Sequence, residues 1–214
     1  MHSGNKPERK VPPTAKPTES AERRPPDGDT VRGRILQAAY ELFCREGINA
    51  VGIDRIVAAA GVAKMSLYRH FRSKEELVLA VLDLREKLWR VDWLEAEVER
   101  RAPPGKARLL AIFDLFHEWF RRDDYEGCLF INTLLEVHDR GNPLHTAAAE
   151  KRARIRALLR RWAEEAGITE PETFAWEYQM LMNGAIVAAH DTEMDLRWMR
   201  SAASSLLERA TSPS

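Results

Sequence analysis

An all-α fold of about nine helices, arranged as a small N-terminal head and a larger C-terminal body, follows from three observations on this 214-residue chain. Apolar residues recur at the three-to-four spacing of amphipathic helices from Ile35 onward, and no stretch alternates apolar and polar as a half-buried strand does. Glycines and prolines punctuate the chain at helix-length intervals, at Gly47, Gly61, Pro103-Pro104, Gly127, Gly141-Asn142-Pro143 and Gly167. Within residues 52–71, a short helix, a tight turn at Gly61 and a second short helix follow one another, which is the helix-turn-helix pattern.

Residues 1–29 hold six of the eleven prolines and few apolar groups. Such a segment buries too little surface to offset its ordering entropy, so a disordered tail is expected. Thr30 is a suitable N-cap for a first helix over 30–46, whose apolar stripe is Ile35, Leu36, Ala39, Leu42 and Phe43 and whose stop is Gly47. Gly52 caps the second helix, which ends at Gly61, and a third spans 63–70. Ser73 and Glu76 have the S-x-x-E spacing of a capping box. They open a long fourth helix to about Arg100, ended by Pro103-Pro104.

The fifth helix, 106–122, turns Leu109, Leu110, Phe113, Phe116, Trp119 and Phe120 inward. A short apolar sixth covers 128–137. Asn142 and Pro143 supply an N-cap and a first-turn proline for the seventh, 143–166. Thr169 and Glu172 have the spacing of a second capping box, opening the eighth helix over 170–190. The ninth, 195–209, carries Leu196, Met199, Ala203, Leu206 and Leu207. The expected organisation is a tail (1–29), a helix-turn-helix head (30–76, motif 52–71) and a larger helical body (77–214).

Composition narrows the class. Hydrophobic residues make up 44% of the chain, yet no run approaches the ~20 apolar residues of a membrane span. The polar N-terminus lacks the apolar centre of a signal peptide, so a cytoplasmic location is expected. Cys44 and Cys128 read as small packing residues rather than a disulfide. The net charge of zero conceals a split: residues 1–74 carry 14 Lys and Arg against 8 Asp and Glu, and the remainder is acidic. A basic head on an acidic body suits nucleic-acid binding by the head.

On the third helix, positions 64 and 68 share a face with 65 and 69. Lys64 and Arg69 can donate to guanine and Met65 can contact a thymine methyl. Ser66, Tyr68 and His70 lie beside that strip and carry donors suited to phosphates. Lys74 places a positive charge in the first turn of a helix, where the dipole disfavours it, and a phosphate contact would account for it. Arg55 on the second helix is counted with these seven. Other uses remain open: Tyr68 as core, Lys74 as a solvated side chain, His70 in a local hydrogen bond.

Residues 30–80 resemble the DNA-binding domain of the TetR family of bacterial transcriptional regulators. The matching positions are Ala38-Ala39, Leu42-Phe43, Gly47, Ile56, Ala60-Gly61-Val62, Leu67-Tyr68-Arg69-His70-Phe71 and Ser73-Lys74-Glu75-Glu76-Leu77. The chain departs from the family pattern at Gly52-Ile53, where a phosphate-binding Thr is common, and at Ala63, where Ser is common. The resemblance implies a homodimer paired through the last two helices, with Leu196, Met199, Ala203 and Leu206 at the interface. It also implies a small-molecule inducer, double-stranded DNA with a pseudo-palindromic operator as partner, and repression relieved by that inducer.

Candidate pocket residues are aromatics of the body, Trp89, Phe116, Phe120, Phe130 and Trp176, and polar groups set in apolar runs, His117, Asn132, Glu136 and Asn183, with Met180 beside them. The basic run Lys151, Arg152, Arg154, Arg156, Arg160 and Arg161 reads as a solvated face or as a dock for an anionic ligand tail. His117, His138, Asp139 and His145 have no metal-ligand spacing, and no catalytic or phosphate-loop motif occurs, so neither a metal, a cofactor nor an enzymatic activity is expected. An all-α enzyme or cofactor protein and a non-specific DNA-binding protein are the competing readings.

Overall fold

The computed structural model describes residues 28–191 and 195–211, and those residues form helices without any strand. The expectation of a disordered tail concerns residues of which 1–27 lie outside the described ones. The head consists of α1 (Val31–Glu46), α2 (Ile53–Ala60) and α3 (Lys64–His70). Next comes α4, one continuous helix in three segments, Lys74–Arg85, Glu86–Glu95 and Ala96–Arg101, of which the middle one is π-helical. The body is completed by α5 (Lys106–Phe120), α6 (Leu129–Glu136), α7 (Pro143–Glu165), α8 (Pro171–Ala188) and α9 (Leu196–Thr211). The described chain thus holds nine helices.

Local chemistry sets most boundaries. The Gly33 N–H donates to Thr30 Oγ1 at 2.9 Å, and the Leu144 N–H to Asn142 Oδ1 at 2.8 Å, with Pro143 in the first turn. Two capping boxes were expected, and neither forms in full. Ser73 accepts from the Glu76 N–H at 3.1 Å, but Glu76 returns its bond to the Arg72 N–H, not to Ser73. The N-cap of α8 is Glu170, one residue beyond Thr169, and it makes no side-chain cap bond. Pro171 at the first helical position sets that start instead.

The interior is one continuous apolar core. In the head, Ile35, Ala39 and Phe43 of α1 meet Ile56, Leu67, Phe71 and Leu77. In the body, α7 packs along α8 and α6 and crosses α4, while α9 lies on α5 and α8. Neither Cys44 nor Cys128 is in a disulfide.

The basic run on α7 is a solvated face only in part: Arg154, Arg160 and Arg161 are exposed, but Lys151 is buried and most of the run is paired. Lys151 is buried and pairs with Asp83 and, at 2.9 Å, with Glu86. Arg154 adds a 2.8 Å contact to Glu86, and Arg161 bridges Glu95 and Glu99 at 2.8 and 2.9 Å. Arg156 lies 3.6 Å over the Trp176 ring and donates to Gln179. The run clamps α7 onto the acidic flank of α4 and reaches across to α8.

Candidate nucleic-acid interface and ligand cavity

Gly61 makes the turn of the motif. It sits in the left-handed region at φ 62°, and its N–H and that of Val62 return to Ala58 and Val57 carbonyls at 3.2 and 3.1 Å. The chain then re-enters a helix at Lys64, with Leu67 and Phe71 fixed in the core. The outer face of α3 is left to Lys64, Met65, Tyr68, Arg69 and His70, all exposed, with Ser66 half-buried beside them. Met65 is 67% and Tyr68 41% exposed, so Tyr68 does not serve as core. An exposed methionine and tyrosine amid basic groups suit a surface awaiting a partner.

Two of the expected cations are held by neighbours. Lys64 Nζ reaches Asp54 Oδ1 at 2.7 Å, and that hydrogen bond, aided by the aspartate's charge, raises its pKa. Arg55 is engaged fork-to-fork by Glu46 at the end of α1. Both pairs are solvent-exposed and therefore weak, so a phosphate or base could replace either carboxylate. Lys74 is half-buried with its ammonium 6.0 Å from the Phe43 ring centroid. Burial lowers its pKa, and the charge of Glu136 works in the opposite sense. At the start of α2, Gly52 offers no side-chain cap and leaves its surroundings open, so bare N–H groups face outward there.

A second site lies where head meets body. Tyr40 of α1, Arg85, Leu88, Trp89 and Trp93 of α4, and Trp119 and Arg122 at the end of α5 line a cavity of ≈ 40 Å³. The indoles of Trp89, Trp93 and Trp119 form a triangle with centroids 5.5–5.7 Å apart. Trp89 and Trp93, four apart on one face of the π-helical segment, both meet Trp119; at the end of that segment the Ala96 N–H donates to the Val91 carbonyl, five residues back. Arg85 is buried and donates to the Tyr40 hydroxyl at 2.6 Å and the Gly127 carbonyl at 3.4 Å.

Two family models match the chain, one described as bacterial regulatory proteins of the tetR family over residues 35–81, the other as a tetracyclin repressor-like C-terminal domain over residues 105–203. The chain belongs to the TetR family. Among curated relatives, the transcriptional activator FasR of Mycolicibacterium smegmatis is 40% identical over 98 residues, 44% of this chain and 42% of that protein. The transcriptional repressor Rv3405c of Mycobacterium tuberculosis is 38% identical over 101 residues, 46% of this chain and 54% of that protein. The matched stretch therefore spans about half the length of these relatives. The crystal structure of SCO4454, a TetR-family transcriptional regulator from Streptomyces coelicolor, superimposes with a TM-score of 0.79 at 28% identity, covering 85% of this chain and 90% of that one.

The candidate pocket residues of this TetR-family chain do not converge on one site. Trp89, Phe116 and Phe120 belong to a single aromatic block that also takes in Trp119 and Tyr125. Phe130 is core, and His117 lies half-buried against the Arg121 guanidinium at 3.2 Å. Asn132 and Asn183 are half-buried. Trp176 and Met180 are both exposed on the outer face of α8, whose other face buries Phe174, Tyr178 and Met182; Met180 lines a groove between α8 and α9 and not the head–body cavity.

Glu136 requires correction. Its carboxylate accepts from the Ile48 and Asn49 N–H groups at 3.1 and 2.7 Å, and Asn49 Nδ2 donates to its carbonyl at 3.2 Å. It is a latch between α6 and the loop after α1. Gly47 adjoins it at φ 85°, where an added Cβ would lie 2.6 Å from Glu136 Oε1.

The stripe expected at a dimer interface is used within the chain. Met199 and Ala203 are buried, and Leu206 is half-buried against the same core. The side chain of Leu196 lies outside the described ones. What α8 and α9 expose instead is Met180, Val187 and Trp198.

Sequence reading missed Tyr40, Arg85, Leu88 and Arg122 as cavity residues. A signal for Arg85 was present: it stands at the helical interval between Val81 and Leu88, a charged residue on an apolar stripe. Among the described residues no helix is long and apolar enough to cross a membrane.

Proposed function

We propose that this chain is a dimeric, sequence-specific DNA-binding transcriptional regulator, a repressor released from a pseudo-palindromic operator by a small molecule. The observation that carries the reading is the division of α3: Leu67 is buried in the head, while Lys64, Met65, Tyr68 and Arg69 stand exposed on one side. That is the geometry of a helix anchored from behind and offered to a major groove. Lys64, Met65 and Arg69 read base edges; Arg55, Ser66, Tyr68, His70 and Lys74 hold the phosphates on either side. The head is residues 30–76 and the body 77–214, with α4 common to both. Such a protein works in the cytoplasm, where the DNA is.

One head covers only a few base pairs, so useful specificity needs two, one helical turn or a multiple apart. Exposed Met180, Val187 and Trp198 on α8 and α9 support pairing of these helices across a two-fold axis. A ligand in the body favours a head separation that misfits the operator, which requires it to bind the two states with different affinity. The cavity between Tyr40 of the head and Arg85 of α4 is placed to do this.

The test is selection from a random DNA pool with the full chain. Enrichment of one palindromic site is expected; a pool that stays random, with binding that only follows salt, would leave a non-specific DNA-binding protein. A reporter driven by the selected site is expected to rise when the gene is deleted. A fall would make the protein an activator.

A further inference from the structure

Three cations are buried among the described residues: Arg85, Arg108 and Lys151. Arg108 meets Glu165 at 2.6 Å and Lys151 meets Glu86 at 2.9 Å. Among the described residues no carboxylate pairs with Arg85. Its guanidinium, 7% exposed, bonds only the neutral Tyr40 hydroxyl and the Gly127 carbonyl, with the Tyr40 ring 5.8 Å away. A buried charge without a counter-charge is costly, and a chain that keeps one is suited to a ligand that brings the counter-charge.

A second orphan adjoins it. The indole Nε1 of Trp89 is buried and has no hydrogen-bond partner, although Trp89 lines the same cavity. Buried polar groups are nearly always satisfied, so an exception at a cavity points to a missing acceptor. The rest of the wall is aromatic: Trp119 is buried and Trp93 half-buried, both within stacking distance of Trp89. The ≈ 40 Å³ available holds a few atoms, a headgroup rather than a whole ligand. Arg122 also lines it, but Asp124 at 2.9 Å already meets its charge, so one positive charge remains to be balanced.

We infer that this cavity takes the carboxylate of a small aromatic monocarboxylic acid, held by the Arg85 guanidinium and the Trp89 N–H, with the acid's ring outside the cavity against the half-buried Trp93. A guanidinium fork matches a carboxylate in plane, and the half-buried Trp93 offers an indole to a flat ring at the cavity mouth. The assignment deepens the ligand-responsive reading and depends on it only for the consequence at DNA, not for binding itself.

The test is calorimetric titration of the full-length protein, without DNA, with 1-naphthoate and with its neutral isostere 1-naphthamide. The acid is expected to bind at least ~10-fold more tightly, the factor of one charge-assisted hydrogen bond. Arg85→Gln should bring acid and amide to similar affinity. If Arg85→Gln does not fold, as judged by circular dichroism, Trp89→Phe carries the test, since it keeps the ring, removes the N–H and should weaken the acid several-fold. Equal binding of acid and amide by the wild type, no binding of the acid, or an undiminished preference in the variant that folds would overturn the assignment. Repeating the titration on the operator complex separates the two readings: acid that binds without releasing DNA leaves the site standing and removes the ligand-responsive function.

Discussion

Leu67 and Met65 lie two residues apart on α3 and have opposite duties, which makes them a matched pair. Leu67 is fully buried between α1 and α2, so Leu67→Ala leaves a cavity and should cost about 2–5 kcal/mol in urea unfolding. Met65 is 67% exposed, so Met65→Ala should change stability by less than ~0.5 kcal/mol while weakening operator binding in fluorescence anisotropy. A Met65→Ala protein with unaltered operator affinity would take Met65 off the reading face. Glu86 permits a prediction with pH. Burial alone would raise its pKa, but hydrogen bonds from Lys151, Arg154 and Arg90 prevail and hold it below the ordinary 4.5. In the unfolded chain the group takes its proton first as pH falls. Its contribution to stability is therefore present above 4.5 and is lost as pH drops through the lower, folded value. Glu86→Gln should remove that part of the acid decline. At neutral pH it should cost roughly 2 kcal/mol, because Lys151 keeps Asp83 but loses a buried partner. Urea midpoints across a pH series check both halves.

Helix ends were legible wherever a residue acts on its own backbone. Thr30, Asn142-Pro143, Gly47 and Gly61 mark boundaries that the structure keeps, because caps and left-handed turns are local chemistry. The head motif was legible for the same reason, its turn and its core spacing lying within 20 neighbouring positions. What was not legible depends on contacts between distant segments. An apolar stripe records that a face is covered, not by what, so Met199 and Ala203 read as partner-facing and prove to be covered by their own chain. Lys151 looked solvated because Asp83 and Glu86 lie more than 60 positions away. The π-helical stretch of α4 holds no Gly, Pro or other break in its sequence, so nothing local marks it. Glu136 is of the same kind: an acid on α6 whose acceptor role becomes visible only when the Ile48-Asn49 loop arrives. Glu136→Ala should free the head to tilt on the body. Operator affinity is expected to fall by about tenfold, with only ~1–3 kcal/mol lost from global stability, as two backbone donors lose their acceptor. Unchanged affinity with the same loss of stability would make the latch purely structural.

At the scale of the whole molecule, α4 ties the parts together. Its first segment packs on α1, its π-helical segment bears the cavity, and its acidic flank is clamped by α7. A displacement at Arg85 therefore reaches Tyr40 of the head directly and α7 through Glu86. For such a displacement to matter at DNA, the two heads must be held at a set distance, and only the pairing of bodies can hold them. Trp198, Met180 and Val187 are each at least 60% exposed, and beside them Leu181, Gly184, Ala185, Ala188 and Ala202 line a groove of ≈ 320 Å³. In the proposed dimer a two-fold axis would bring the same Trp198 and the same groove to both sides. Trp198→Glu sets a carboxylate against its own copy in that contact. It should give a folded monomer by sedimentation velocity, because Trp198 contributes little to the interior of its own chain. Operator affinity should fall to that of a single head on a half-site, with selection for the palindrome lost. A dimer that persists in Trp198→Glu at micromolar concentration would move the interface away from α8 and α9, and with it the account of how ligand and operator compete.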